Sequence, residues 1–170
     1  ELALISLTER LASRGHRVTV YNNPREIETF HGVDYKPLSW FDPQGLDAFV
    51  LFRNPWYGIH TFDCPRIFWS TDQQTAGNYA VDIFPYVDHT VYISPYHRDY
   101  HIRRYGADPD KISYIDLGVR LQDYAESVEK VPFRCIYCST PGRGVDILAH
   151  AWPLIKQQVP EASLVITGDY

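Results

Sequence analysis

Residues that could bind an anion gather in one short segment, residues 137–145, between a strand-like run and a helix-like run. Its candidate residues are a serine, a threonine, two glycines and an arginine: Ser139, Thr140, Gly142, Arg143 and Gly144. The glycines let a ligand approach the backbone, the arginine can hold a phosphate in a two-pronged contact, and a helix N-terminus favours an anion. Ligands of open α/β sheets collect at the carboxyl ends of strands. The segment is therefore predicted to bind phosphate, although a tight turn with a solvated arginine fits the same residues.

Polar residues also follow two further strand-like runs. Arg53 and Asn54 come directly after the run 46–52, and Asp72 follows the run 66–69. Each lies at the carboxyl end of a predicted parallel strand, where a ligand would bind. The competing interpretations are a solvated loop for Arg53 and Asn54, and an Asx-turn or a helix N-cap for Asp72.

The remaining residue types do not indicate a metal or a nucleotide-cofactor site. Cys135 and Cys138 lie three positions apart on a predicted strand, so their side chains point to opposite faces and do not close on one zinc ion. We expect buried thiols there. The sequence Asp-Pro-Asp at 108–110 is typical of a turn, and we expect no metal. The sequence contains neither a GxGxxG nor a Walker motif, which disfavours NAD enzymes and P-loop NTPases.

These residues are positioned by an alternating order of predicted strands and helices. Apolar periodicity predicts helices over 2–14, 76–84, 96–105 and 143–159. Runs of β-branched and aromatic residues predict strands over 16–21, 46–52, 66–69, 89–93, 111–115, 133–138 and 163–167. This order predicts an α/β fold of parallel, Rossmann-like sheets with helices on both faces. Because a polar stretch interrupts the order, we predict a domain over 1–122, a linker over 123–131, and a second domain begun over 132–170.

The composition is that of an ordinary globular protein, with 170 residues, 45% apolar and 22% charged, and a net charge of −5. The acidic balance disfavours nucleic acid as a partner. No apolar run approaches the ~20 residues that cross a bilayer, so we expect no transmembrane segment, while peripheral membrane contact stays open. The small and odd number of cysteines favours a reducing compartment, and we expect a cytoplasmic protein.

Three motifs resemble, in the same order, those of retaining GT-B glycosyltransferases of the group 1 or family 4-like type. Residues 14–21 (RGHRVTVY) resemble the end of the family's first helix and its second strand. Residues 115–119 (IDLGV) are similar to its Gly-Val loop before the interdomain linker. Residues 137–170 are similar to its Arg/Lys-Gly helix and the Pro-x-Ala-x-Leu-x-Ile-x-Gly strand. The resemblance implies a GT-B fold, in which two Rossmann-like domains face each other across a cleft.

The resemblance also implies a reaction and a role for the candidate residues. A nucleotide-diphosphate sugar is the donor substrate, no cofactor is needed, and the sugar passes with retention to a hydroxyl of a carbohydrate or other acceptor. Arg143 would hold the diphosphate. The donor-binding set is Ser139, Thr140, Gly142, Arg143, Gly144 and Gly118, the last as a close-approach residue at the cleft floor. Arg53 and Asn54 are the candidates for acceptor binding, and Asp72 is the candidate catalytic residue.

Parts of the family's pattern fall outside residues 1–170. The family's Gly-Gly turn would precede Glu1, and its donor-binding carboxylate pair would follow Tyr170, so we expect a fragment that is inactive alone. Two alternatives keep the same architecture. A nucleotide-sugar 2-epimerase would need acid/base carboxylates and histidines in the first domain, and a non-catalytic GT-B-like binding or scaffold module would show no turnover.

Overall fold

The computed structural model describes residues 2–54, 62–74 and 79–167, and the chain divides into two compact units, 1–120 and 121–170. Within the described ranges the helices are α1 (Leu2–Ser13), α2 (Pro95–Tyr105) and α3 (Val145–Gln158). The strands of the first unit are β1 (Val18–Asn22), β2 (Glu28–Phe30), β3 (Val33–Pro37), β4 (Phe49–Phe52), β5 (Arg66–Trp69), β6 (His89–Tyr92) and β7 (Ile112–Tyr114). Those of the second unit are β8 (Arg134–Cys138) and β9 (Ser163–Thr167).

The first unit contains a four-stranded parallel sheet in the order β4-β5-β6-β7. Phe52 pairs with Trp69, Trp69 with Val91, and Tyr92 with Tyr114, so the four carboxyl ends lie at one edge. Parallel strands need cover on both faces, and apolar side chains around β5 provide the main core: Phe62, Phe68, Tyr79, Ile83 and Val87. The all-parallel sheet confirms the predicted α/β class and is consistent with a Rossmann-like fold.

A three-stranded sheet of the same unit, in the order β1-β3-β2, contains two strands that the sequence patterns do not predict. β1 and β3 are parallel, whereas β2 and β3 form an antiparallel hairpin. Its turn places His31 at φ 46° and Gly32 at φ 78°, in the left-handed region. β2 is three residues long and exposed throughout, so no alternation of apolar and polar residues marks it.

The ends of α2 follow from its local sequence. The Ser94 side chain accepts a hydrogen bond from the backbone N–H of His97, and Pro95 occupies the first helical position, where no backbone donor is needed. Gly106 ends the helix in the left-handed conformation, at φ 68°. The predicted helix over 96–105 is therefore confirmed, one residue longer at its N-terminus.

Arg120, the last residue of the first unit, is bonded to the first helix. Its Nε donates to Ser6 Oγ over 2.8 Å, and its Nη2 donates to Glu9 Oε2 over 2.8 Å. The Glu9 side chain is 16% exposed and the Arg120 side chain 25%, so the ion pair is partly shielded from water. The point where the chain leaves the first unit is thereby held against α1.

The second unit is a β-α-β arrangement in which β8 and β9 pair in parallel and α3 lies between them in sequence. One turn of 3-10 helix (Pro141–Arg143) precedes α3. The predicted helix over 143–159 starts two residues later, at Val145, because Gly144 takes a left-handed conformation at φ 100°.

Two further expectations meet a different outcome. Cys135 and Cys138 are exposed, so the prediction of buried thiols is wrong: within the second unit β8 is exposed at four of its five residues. The predicted helix over 76–84 is a single π-helical turn (Tyr79–Ile83) followed by a 3-10 turn, and positions 76–78 lie outside the described residues. Among the described helices, none combines the length and apolar character needed to cross a membrane.

Candidate functional site

Two of the predicted site residues form an ion pair at the carboxyl edge of the four-stranded sheet. Arg53 follows β4 and Asp72 follows β5, and these strands are neighbours. Arg53 Nε donates to Asp72 Oδ2 over 2.7 Å, and Nη2 donates to Oδ1 over 3.3 Å. The side chains are 40% and 34% exposed, so solvent and a ligand can both reach them. The structure therefore joins a predicted acceptor-binding residue to the predicted catalytic residue.

The backbone of Arg53 is unusual for a residue with a side chain. Its φ of 68° lies in the left-handed region, which costs a non-glycine residue of the order of 1 kcal/mol. The Arg53 N–H donates to Trp69 O over 2.9 Å, and the Asn54 N–H donates to Phe52 O over 2.8 Å. The turn aims the guanidinium at the end of β5, whereas Asn54 is exposed beside it.

The ion pair limits what Asp72 can do chemically. Both carboxylate oxygens accept from Arg53, and Thr71 Oγ1 lies 3.4 Å from Oδ2. Because both oxygens already accept from Arg53, a ligand proton would have to displace one of these hydrogen bonds to reach the carboxylate. The pair is therefore better suited to bind hydroxyl groups of a ligand than to abstract a proton.

A pair of buried histidines lies behind Asp72, on α2. His97 Nε2 is 2.9 Å from the backbone oxygen of Asp72 and 3.2 Å from His101 Nε2. His97 is 4% exposed and His101 is fully buried. Burial lowers the pKa of His97, and burial together with the neighbouring His97 lowers the pKa of His101 to about 4. Both imidazoles are therefore neutral at pH 7.

Sequence reasoning did not predict these two histidines. Their spacing of four on a helix places them on one face, and the helix follows a buried strand of the parallel sheet. That spacing is a usable signal. It was not recognised because the group that His97 contacts is a backbone oxygen, which no sequence motif marks.

Gly118 lies after β7, whose carboxyl end is at the same edge as Arg53 and Asp72. Ile115, which starts this loop, donates its N–H to Tyr92 O over 2.8 Å. Gly118 is exposed, and a Cβ placed there would meet no atom within 4 Å. Within the first unit, Gly118 therefore makes no close approach to another segment.

The predicted phosphate-binding segment forms a corner between β8 and α3 in the second unit. Thr140 O accepts from the Arg143 N–H over 3.0 Å and from Tyr137 OH over 3.0 Å, which closes the turn. Leu148 N–H bonds to Gly144 O, and the N–H groups of the residues before it in α3 have no partner inside the helix. Along the chain these amides directly follow the segment that contains Ser139, Thr140, Gly142, Arg143 and Gly144.

The charges around this corner favour an anion only in part. Arg143 and Thr140 are exposed and Ser139 is half-buried, so the hydroxyls and the guanidinium are accessible from solvent. In residues 121–167 no ion pair holds the Arg143 side chain. Asp146, in the first turn of α3, carries a negative charge that opposes an anion at the same helix end. Arg143 is the cation that would have to outweigh it.

Among the described residues, no group of three or more His, Cys, Asp or Glu side chains could hold a metal ion. No protein-family model matches the sequence, and no curated protein matches it at a significant level. The class defined by the fold is therefore an α/β protein of two units, whose first unit carries a parallel, Rossmann-like sheet with an Arg–Asp pair at its carboxyl edge.

Proposed function

We propose that the chain is part of a retaining GT-B glycosyltransferase. In this assignment the first unit is the acceptor-side domain, and the second unit is the first β-α-β of the domain that binds the nucleotide-diphosphate sugar. The full-length enzyme transfers a sugar to an acceptor hydroxyl. The three motifs of the sequence support the assignment, as does the parallel sheet of the first unit.

The observation that carries the proposal is the corner between β8 and α3. It combines a left-handed glycine at φ 100°, the unbonded amides at the start of α3, and the exposed guanidinium of Arg143. A diphosphate presents several acceptor oxygens and more than one negative charge, which such a corner can bind through backbone and guanidinium together. Charge on a departing diphosphate is stabilised by the same fixed donors, and this is the catalytic contribution expected of them.

The Arg53–Asp72 pair supports the acceptor side of the proposal. An ion pair that is about one third exposed presents both donors and acceptors to solvent. Sugar hydroxyls both donate and accept hydrogen bonds, so they match such a pair. We assign Arg53, Asn54 and Asp72 to the acceptor, with Asp72 orienting a hydroxyl rather than removing its proton.

The epimerase alternative is less well supported. It needs a proton-transfer residue in the first unit, and Asp72 is held by Arg53 while His97 and His101 are buried. A group that is enclosed and bonded to the backbone has no access to a substrate proton.

Nucleoside-diphosphate binding to this chain tests the proposal. We expect UDP, GDP or ADP to shift the amide NMR signals of Val145, Asp146 and Ile147, because those N–H groups have no partner inside α3. Arg143→Ala should weaken the binding by about 1–3 kcal/mol, the range for a hydrogen bond to a charged group.

Arg134→Ala is the matched control for this experiment. Arg134 is an exposed arginine of the same unit at the amino end of β8, away from the corner. It changes the net charge by the same amount and should leave the affinity within twofold. An equal loss of affinity in the two variants would mean that only the net charge matters, and it would contradict a direct contact between Arg143 and the diphosphate. Shifted amide signals located elsewhere would contradict the proposed corner.

A further inference from the structure

The backbone oxygen of Asp72 is surrounded by side-chain donors. His97 Nε2 lies 2.9 Å from it, Ser70 Oγ 3.2 Å, and Tyr79 OH 3.4 Å. A carbonyl oxygen has two lone pairs, so three donors at one oxygen exceed ordinary pairing. His97 makes the shortest of the three contacts. We call this group of Ser70, Tyr79, His97 and the Asp72 carbonyl the Asp72 clamp.

The contact fixes the tautomer of His97. A carbonyl oxygen only accepts, so His97 carries its hydrogen on Nε2 and donates it to Asp72 O. The facing Nε2 of His101 lies 3.2 Å from the same nitrogen. His97 Nδ1 has no partner among the described residues, which agrees with its having no hydrogen to donate.

His101 supports His97 from behind. Its ring lies within 4.5 to 5.0 Å, centroid to centroid, of the rings of Tyr79, Tyr92 and Tyr105. These aromatic contacts hold His101 in place, and His101 in turn contacts His97 at 4.8 Å between ring centroids. The His97 ring that donates to Asp72 therefore packs against a cluster of aromatic side chains, which restricts its movement.

Asp72 needs such support because regular structure does not hold it. β5 ends at Trp69, and residues 70–74 form neither strand nor helix. The position of the Asp72 carboxylate is thus set by its own backbone and by Arg53. A donor on the carbonyl fixes that backbone and leaves both carboxylate oxygens to Arg53 and to a ligand.

We propose that His97 is a positioning residue for Asp72: through the Asp72 clamp it sets the geometry of the Arg53–Asp72 pair at the sheet edge. The inference concerns this pair alone. It holds whether the protein is a transferase, an epimerase or a binding module.

The Arg53 side chain supplies the readout, because its Nε–H donates to Asp72 and is visible by NMR. His97→Leu removes the donor. We expect the Arg53 Nε–H to exchange with water about three- to tenfold faster, which is the change in an equilibrium constant that the loss of one hydrogen bond produces. His97→Gln keeps an N–H donor and should restore exchange to within about twofold of the unmodified protein. A residue needed only for packing would not separate leucine from glutamine in this way.

His89→Leu is the matched control. His89 is half-buried and lies at the amino end of β6, at the edge of the sheet opposite to Asp72. Its Nε2 is 2.8 Å from Ser113 Oγ. It should lower the overall stability and leave the exchange of Arg53 Nε–H unchanged. If His97→Leu has no effect on Arg53, or if His89→Leu has the same effect, the proposal is wrong.

Two measurements keep the test valid if His97→Leu does not fold. Ser70→Ala removes a second donor of the clamp with little change in volume, and it should also accelerate Arg53 Nε–H exchange. In the unmodified protein, nitrogen NMR at pH 7.5 should show His97 with its hydrogen on Nε2. A hydrogen on Nδ1 would contradict the donation to Asp72 and would overturn the proposal.

Discussion

Acid should destabilise the first unit through its buried histidines. His101 has a folded pKa of about 4, against 6.5 for an unperturbed histidine. Between these values the unfolded chain binds a proton that the folded chain does not, so the free energy of unfolding falls as the pH is lowered from 6.5 towards 4. It is constant, as far as His101 is concerned, above 6.5 and again below 4.

The size of the effect follows from the two pKa values. At pH 4.5 almost all of the unfolded His101 and a small fraction of the folded His101 are protonated, so the loss relative to pH 7.5 is about 2.5 kcal/mol. The pKa of His97 is lowered as well, so His97 contributes in the same direction. The loss is a large part of the 5–15 kcal/mol that stabilises a typical domain.

Urea unfolding at pH 7.5 and pH 4.5, followed by tryptophan fluorescence, measures this loss. Carboxylates also lower the free energy of unfolding in acid. Asp88 is one of them, because its hydrogen bond to Arg66 lowers its pKa in the folded state. The contribution of His101 must therefore be isolated with a variant. His101→Phe replaces the imidazole with an apolar ring inside the same aromatic cluster. We expect its acid-induced loss to be about 2 kcal/mol smaller than that of the unmodified chain. An equal loss in both proteins would refute the reasoning.

Two backbone predictions concern the ends of helices. Gly144→Ala should lower the free energy of unfolding in urea by about 1 kcal/mol or more, because the backbone φ is 100° at this position. Gly142→Ala is the control: its φ is not positive and a Cβ there would meet open space, so the urea midpoint should change little. Ser94→Ala removes the side chain that caps α2 and should cost about 1 kcal/mol, seen as a lower thermal midpoint by circular dichroism; an unchanged midpoint would mean that another group caps the helix.

Local sequence signals predicted the elements whose ends are set by neighbouring residues. Ser94, Pro95 and Gly106 define α2, and β5 and β9 coincide with the predicted runs. β2 was missed because it is three residues long and exposed, and β3 because polar residues and a proline interrupt its apolar pattern. β3 is held by pairing with β1 and β2 by pairing with β3, and the pairing of β1 with β3 is a tertiary interaction that no local pattern reports.

The sequence predicted the candidate site only in part, because some of its contacts are tertiary. The parallel order of strands places Arg53 and Asp72 at one edge, and both were predicted there. That the two residues pair with each other depends on the left-handed turn at Arg53, which the sequence does not indicate. The contact between His97 and Asp72 joins residues 25 positions apart through a backbone oxygen, so only the three-dimensional structure reveals it.

The bonds from Arg120 to Ser6 and Glu9 bring together positions 114 and 111 residues apart in the sequence. One guanidinium therefore fastens the segment after β7 to α1 at two points. Pulling that segment away from the unit would require both hydrogen bonds to break, and the partly shielded carboxylate of Glu9 would lose its ion pair with Arg120.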